Sequence, residues 1–153
     1  MLRRLFLVVL LASFAAIGHA EELQHFDRSS LVIDTAGGPR KFDVEMALTP
    51  AQQSQGLMYR RKMAADAGML FDFVDTAPRG FWMHNTLIPL DMLFIEASGR
   101  IADIHERAVP QSDEVIPSAL PVRAVLELNG GTVSRLGIKI GDIVHHPIFG
   151  NAR

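Results

Sequence analysis

The segment Gly80-Phe81-Trp82-Met83-His84-Asn85-Thr86-Leu87-Ile88-Pro89-Leu90-Asp91 gathers the only tryptophan of the chain, a histidine, an asparagine, a threonine and an aspartate around a proline turn. Large aromatics beside short amide and hydroxyl groups on a loop are how β-rich domains hold a sugar or another small polar ligand. The ring offers stacking area and the polar groups fix orientation. The same residues also suit a structural turn, with Asn85 and Thr86 bonding backbone groups, Pro89 fixing φ and Trp82 in the core. The segment alone leaves both readings open.

Other residue types raise other chemistry. Glu45, Asp91 and Glu127 fall in or beside strand-like stretches, and a carboxyl pair about 5–9 Å apart would suit glycoside hydrolysis. A hydrolase or lyase using Asp91 and Glu127 is therefore one alternative. Arg60 could clamp a carboxylate in bidentate fashion, or belong with Arg61 and Lys62 to a solvated basic turn or a structural ion pair. The adjacent pairs Met83-His84 and His145-His146 suggest a second alternative, copper handling through Met83 and His84, since thioether and imidazole ligands suit that metal. Neighbouring residues of a strand point to opposite faces, however, and Met46, Met69 and Met92 fit apolar core positions. The chain has no Gly-x-Ser-x-Gly, His-Glu-x-x-His or glycine-rich phosphate loop. No catalytic residue, metal site or cofactor is assigned on this basis.

The composition narrows the setting. At 153 residues the chain has room for one ordinary domain. Met1-Leu-Arg-Arg, the apolar run Leu5 to Ala12 and the small-x-small Gly18-His19-Ala20 read as a signal peptide over residues 1–20, so a periplasmic or secreted protein is expected. Cleavage removes two of the 15 basic residues and none of the 17 acidic ones. A mildly acidic domain with three lysines (Lys41, Lys62, Lys139) is poorly suited to a phosphate backbone, so nucleic acid is not expected as a partner. After the signal no run of about 18 apolar residues remains to span a membrane. With no cysteine, disulfides, thiol nucleophiles and thiolate metal sites are excluded.

The elements that must position these side chains are mostly strands. Ser30 to Asp34 and the alternating Lys41 to Ala47 flank a glycine turn and predict a hairpin. Thr49-Pro50-Ala51-Gln52 reads as a capping box opening a short helix that Gly56 ends. Strands follow over 68–73, 79–83, 90–96 and 100–107, then a proline-rich loop over 110–121. A strand over 122–128, a short helix from Thr132 to Gly137 and a last strand over 138–144 complete the pattern. The expectation is a mainly β fold, a compact antiparallel β-sandwich or partly open barrel with one or two short helices. Residues 21–28 would be a flexible leader, 29–148 the single β domain and 149–153 a C-terminal tail.

Taken in order, Gly56-Leu57-Met58-Tyr59-Arg60, Gly68-Met69-Leu70-Phe71-x-Phe73 and Phe81-Trp82-Met83-x-Asn85-Thr86-x-x-Pro89-Leu90-Asp91 form a recognisable series. Phe94-Ile95, Gly99-x-Ile101, Val125-Leu126-Glu127 and Gly137-Ile138-x-x-Gly141-Asp142-x-Val144 continue it. The series closely resembles domain-of-unknown-function family 192, mostly exported prokaryotic proteins, from about Leu31 to Val144. The resemblance implies a compact, mainly β fold and brings no activity with it. It places the family's polar signature on Arg60, Asn85, Thr86, Asp91 and Glu127. Position 84, usually basic in the family, is His84 here, which suits a pH-tuned role better than a permanent charge. Position 123, often aromatic, is Arg123. The leading expectation is a non-catalytic binding or accessory module. Arg60, Trp82, Asn85, Thr86, Asp91 and Glu127 would line a cleft for a small polar ligand such as a saccharide, or serve a periplasmic protein partner. The competing expectation is a buried polar network that pins the fold.

Overall fold

A computed structural model describes residues 23–153; the signal expected over residues 1–20 lies outside the described residues. Strand β1 (Asp27–Thr35) and β2 (Gly38–Ala47) form the hairpin that the glycine turn predicts, with Leu31 opposite Phe42. Helix α1 (Pro50–Gln55) follows. The Thr49 side chain accepts from the Gln52 N–H, and the Gln52 side chain accepts from the Thr49 N–H, so the capping box forms as read. Next come β3 (Ala67–Ala77), the short β4 (Gly80–Phe81), β5 (Leu90–Ile95) and β6 (Ile101–Ala108). The remaining elements are β7 (Ile116–Pro117), β8 (Val122–Asn129), α2 (Thr132–Leu136) and β9 (Ile143–His145).

Seven strands make one sheet in the order β6-β5-β8-β3-β2-β1-β9, curled into a half-barrel, and β4 pairs with β7 in a separate ribbon. The mainly β class and the partly open barrel are therefore the observed architecture. One pair departs from the antiparallel expectation: β2 and β3 run parallel. Parallel neighbours need a crossover of about a dozen residues or more, and residues 48–66, with α1 inside them, supply it.

The central strands β3, β5 and β8 are buried on both faces, β5 at every residue. Two cores result. Leu70, Leu93 and Leu126 face one, which Val133 and Leu136 of α2 and Ile138 close. Met69, Phe71, Met92 and Phe94 face the other, where Leu57 and Met83 pack with Phe81 and Ile116 of the ribbon against its edge. Phe81 meets Phe71 edge to face at 5.0 Å, which anchors the ribbon to the sheet. The segment expected as a loose leader is docked from Gln24 onward. Phe26 is buried, the Gln24 N–H donates to Gln55 Oε1 (2.7 Å), and Gln52 Nε2 donates to the His25 carbonyl (2.7 Å). Among the described residues no helix is long and apolar enough to cross a membrane.

Candidate functional site

Over the second core, the end of α1 and the turn after β4 face each other across an open cleft of about 360 Å³. Ser54 and Gln55 of α1, Met58 and Tyr59 form one wall; Trp82, His84 and Asn85 form the other. Leu23 and Gln24 border it as well. Trp82 is 49 % exposed, unusual for so large an apolar ring, and stacks on His84 with centroids 4.9 Å apart and planes 25° from parallel. Nδ1 of His84 lies 2.6 Å from Oδ1 of Asp113, so the loop after β6 steadies the stack.

Each wall carries one residue with a strained backbone. Tyr59 (φ 65°) and Asn85 (φ 51°) both hold left-handed conformations, which cost a non-glycine residue roughly 1–2 kcal/mol. They hold each other: the Tyr59 N–H donates to the Asn85 carbonyl (2.9 Å), and Asn85 Nδ2 donates to the Tyr59 hydroxyl (3.2 Å). Thr86, buried just behind, donates its hydroxyl to the His84 carbonyl (3.2 Å), and its N–H reaches the Met83 carbonyl (3.0 Å). The Gln111 N–H donates to the Thr86 carbonyl (3.0 Å).

Ser54, Gln55, Met58 and Trp82 also line a niche of only about 30 Å³ that adjoins the cleft. Gly56, at the end of α1, makes the niche possible. Its φ of 48° suits glycine, and a Cβ there would stand 3.2 Å from the Phe71 ring. Glu127 of β8 lies in this niche, 4 % exposed, with Met69 and Met92 opposite it on the flanking strands. Among the described residues its carboxyl has no hydrogen bond and no ion pair. Burial alone pushes its pKa up, from the ordinary 4.5 to about 8.

The structure divides the six residues expected to share a site. Trp82 and Asn85 line the cleft, and Trp82, Thr86 and Glu127 line the niche. Asp91 is elsewhere. It pairs in register with Leu128, whereas Glu127 pairs with Met92, so Asp91 and Glu127 point to opposite faces of the sheet. Asp91 is 0 % exposed and accepts three backbone N–H groups, from Arg107 (2.8 Å), Gly131 (2.9 Å) and Val133 (2.8 Å). It thus caps α2 from a distant strand. A hydrolase or lyase built on Asp91 and Glu127 is ruled out by this geometry, because the sheet lies between the two carboxyls.

Arg60 also leaves the set. It bonds Glu45 (2.9 Å) beside a separate cavity of about 220 Å³ shared with Asp43 and Lys62. Glu45 and Glu127 flank Met69 in one cross-strand row, which places them two strands, about 10 Å, apart. The copper alternative separates in the same way. Met83 is fully buried in the second core, while His84 is partly exposed and already engaged by Trp82 and Asp113. Among the described residues no group of three or more His, Asp or Glu is placed to hold a metal ion.

Two cleft residues, Tyr59 and Gln55, and Asp113, which bonds His84, escape a reading by motif chemistry. Tyr59 stood in the Gly-Leu-Met-Tyr-Arg block without a role. Gln55 falls in the short helix outside the capping box, and Asp113 lies in the proline-rich loop with no pattern.

Comparison with known proteins agrees with this architecture. The structure matches the crystal structure of a protein from Sinorhizobium meliloti 1021, described provisionally as a transcription regulator. The identity is 49 % over 83 % of this chain and 99 % of that one, with a TM-score of 0.80. It also matches a protein of unknown function from Novosphingobium aromaticivorans DSM 12444, with 36 % identity over 88 % of this chain and 99 % of that one, TM-score 0.78. No curated protein matches significantly. The model of the family described as uncharacterized ACR matches residues 31–146, so the chain belongs to domain-of-unknown-function family 192.

Proposed function

We propose that this protein is an exported, non-catalytic binding module whose cleft takes a small neutral polar ligand of the saccharide class. One observation carries the reading: Trp82, half exposed, is held flat on His84 beside a cleft bordered by Ser54, Gln55 and Asn85. A rigid aromatic surface flanked by hydroxyl and amide groups matches the two surfaces of a sugar ring, apolar C–H faces and a polar rim. The cleft's size suits one or two rings. The charged groups that would orient an ionic ligand stand outside it, with Arg60 bonded to Glu45 and Asp91 on the other face.

The regulator description attached to the Sinorhizobium relative fits ligand sensing better than direct DNA reading by a helix. Helices α1 and α2 have six and five residues, and acids outnumber bases, 17 to 15.

Trp82 is the sole tryptophan, so its emission reports on this site alone. Titration of the protein with methyl glycosides of glucose, galactose and mannose, and with cellobiose and chitobiose, should shift that emission saturably for at least one sugar. Calorimetry on Trp82→Ala should show the heat of binding lost for the same sugar. An unchanged wild-type spectrum across the whole series would refute the reading.

A further inference from the structure

At the second core one polar side chain, Glu127, has no bonding partner among the described residues. Of the polar groups at the niche, Gln53 donates to the Ala47 (3.3 Å) and Asp72 (2.9 Å) carbonyls, and Thr86 donates to the His84 carbonyl. Gln55 accepts from the Gln24 N–H. Each of these three is bonded within the protein, and Ser54 is exposed to solvent at the rim. Among the described residues Glu127 has no partner, although it is more than nine-tenths buried and flanked in its strand row by two methionines. A carboxyl that is almost wholly out of solvent and has no protein partner costs stability, and Leu or Met at this position would pack the row at no such cost. The niche beside it has room for about one water-sized group. It adjoins the cleft at Ser54, Gln55, Met58 and Trp82, so a ligand lying on Trp82 stands at its entrance.

From this geometry we infer that the niche receives a single hydroxyl of the ligand, and that Glu127 hydrogen-bonds this hydroxyl and sets the ligand specificity of the cleft. The inference rests on the Trp82 cleft being the binding site and adds the identity of the group that enters deepest. With its pKa near 8, Glu127 is protonated at neutral pH. A neutral carboxyl both donates and accepts, the complement of an alcohol. A carboxylate or phosphate of the ligand is too large for the niche. An ammonium group would have to be buried against Phe71, Phe81 and Leu57 with only a carboxyl it must first ionise. A hydroxyl needs no charge. The recess also favours one carried on a free methylene, so the ligand class is a neutral sugar or polyol with a primary alcohol.

The test uses methyl glycosides of glucose, galactose and mannose, each with its 6-deoxy and 6-amino-6-deoxy counterparts, titrated at neutral pH against wild type, Glu127→Gln and Glu127→Met. The parent sugar that binds wild type should lose roughly tenfold or more as its 6-deoxy form, because a site built to bond a hydroxyl is left unpaired without it. The 6-amino form should bind no better than the 6-deoxy form. Glu127→Gln, which keeps a donor and an acceptor, should retain binding within about threefold. Glu127→Met should weaken the parent sugar to the level of the 6-deoxy form and no longer distinguish the two. Thermal unfolding of both variants establishes that they are folded.

Equal affinity of parent and 6-deoxy sugar for wild type overturns the inference, as does discrimination that survives in Glu127→Met. Tighter binding of the 6-amino sugar would assign the niche to an ammonium group instead. In all three cases the Trp82 cleft still binds. Failure of every parent sugar to bind would remove the cleft reading itself, and the inference with it.

Discussion

Replacing Glu127 by glutamine should change the pH dependence of stability in a direction and by an amount that the structure fixes. In the folded protein burial holds this carboxyl at about 8, against 4.5 for an unburied one. Between those values the folded state binds a proton that the unfolded state releases, so stability falls as pH rises. The stability is fully present below about pH 4.5, is lost progressively as pH climbs, and has no further to fall beyond about pH 8. At about 1.4 kcal/mol per decade of proton affinity, the wild type loses roughly 3 kcal/mol from this group by neutral pH and roughly 5 by pH 9. Glutamine has the same shape and does not titrate. His146, whose pKa burial lowers although Asp72 opposes the shift, is present in both proteins and cancels in the difference. Urea unfolding of wild type and Glu127→Gln at intervals from pH 4 to 9 should therefore give nearly equal stabilities at the acid end. The variant should become steadily the more stable as pH rises. A difference constant to within about 1 kcal/mol across that range would refute the claim that Glu127 is buried without a partner.

Three further predictions concern the residues around it. Asp91→Ala should orphan the N–H groups of Arg107, Gly131 and Val133, costing about 3–5 kcal/mol and lowering Tm by more than about 10 °C; a drop below about 4 °C in a circular-dichroism melt would mean that Asp91 does not hold α2. Asn85→Gly keeps the left-handed turn (φ 51°) but removes the amide from the cleft, so sugar affinity should fall while Tm moves by only a few degrees; calorimetry beside a melt separates the two effects. Arg123→Ala should destabilise by about 2–4 kcal/mol, because Arg123 Nε (3.2 Å) and Nη2 (3.3 Å) together hold the buried Asp72 carboxylate; denaturant midpoints indistinguishable from wild type would contradict that pairing.

What the amino-acid sequence disclosed depended on how local each signal was. The β1–β2 hairpin was legible because Phe42, Val44 and Met46 alternate with charged residues beside a glycine turn, and the cap of α1 because Thr49, Pro50 and Gln52 lie within one turn. The parallel pairing of β2 and β3 was not, since it depends on where the 48–66 crossover docks. Nor was the cap of α2. Gly131 stands at its N-cap without a side chain, and Asp91 of β5 does the capping from 40 residues away. The faces of Asp91 and Glu127 were hidden for a related reason. Alternation betrays a face only when the other face is wet, and β5 and most of β8 are buried on both sides. Their separation follows from register alone. The cluster Trp82-His84-Asn85 was visible as a motif, whereas Asp113, which bonds His84 from the proline-rich loop, carried no pattern at all.

The polar signature that looked like one site is thus divided between the two faces of the sheet, with Arg60 paired to Glu45 apart from the rest. On one face Asp91 saturates its oxygens with backbone N–H groups, and its likeness to an active-site acid comes only from its residue type. On the other, Glu127 has no partner among the described residues and lies beneath a cleft in whose walls Tyr59 and Asn85 hold strained conformations. Arg107 (φ 53°) donates its N–H to Asp91, Gln111 (φ 61°) donates to Thr86, and Tyr59 and Asn85 bond each other. Of the five non-glycine residues with positive φ among the described residues, these four touch the signature. Such conformations persist only where surrounding contacts over-determine them, and the two cores supply those contacts. On the proposed reading, the consequence is a cleft set in advance of its ligand. A sugar would find the Trp82 surface and the Glu127 niche already in place, so its binding should need little rearrangement of the backbone.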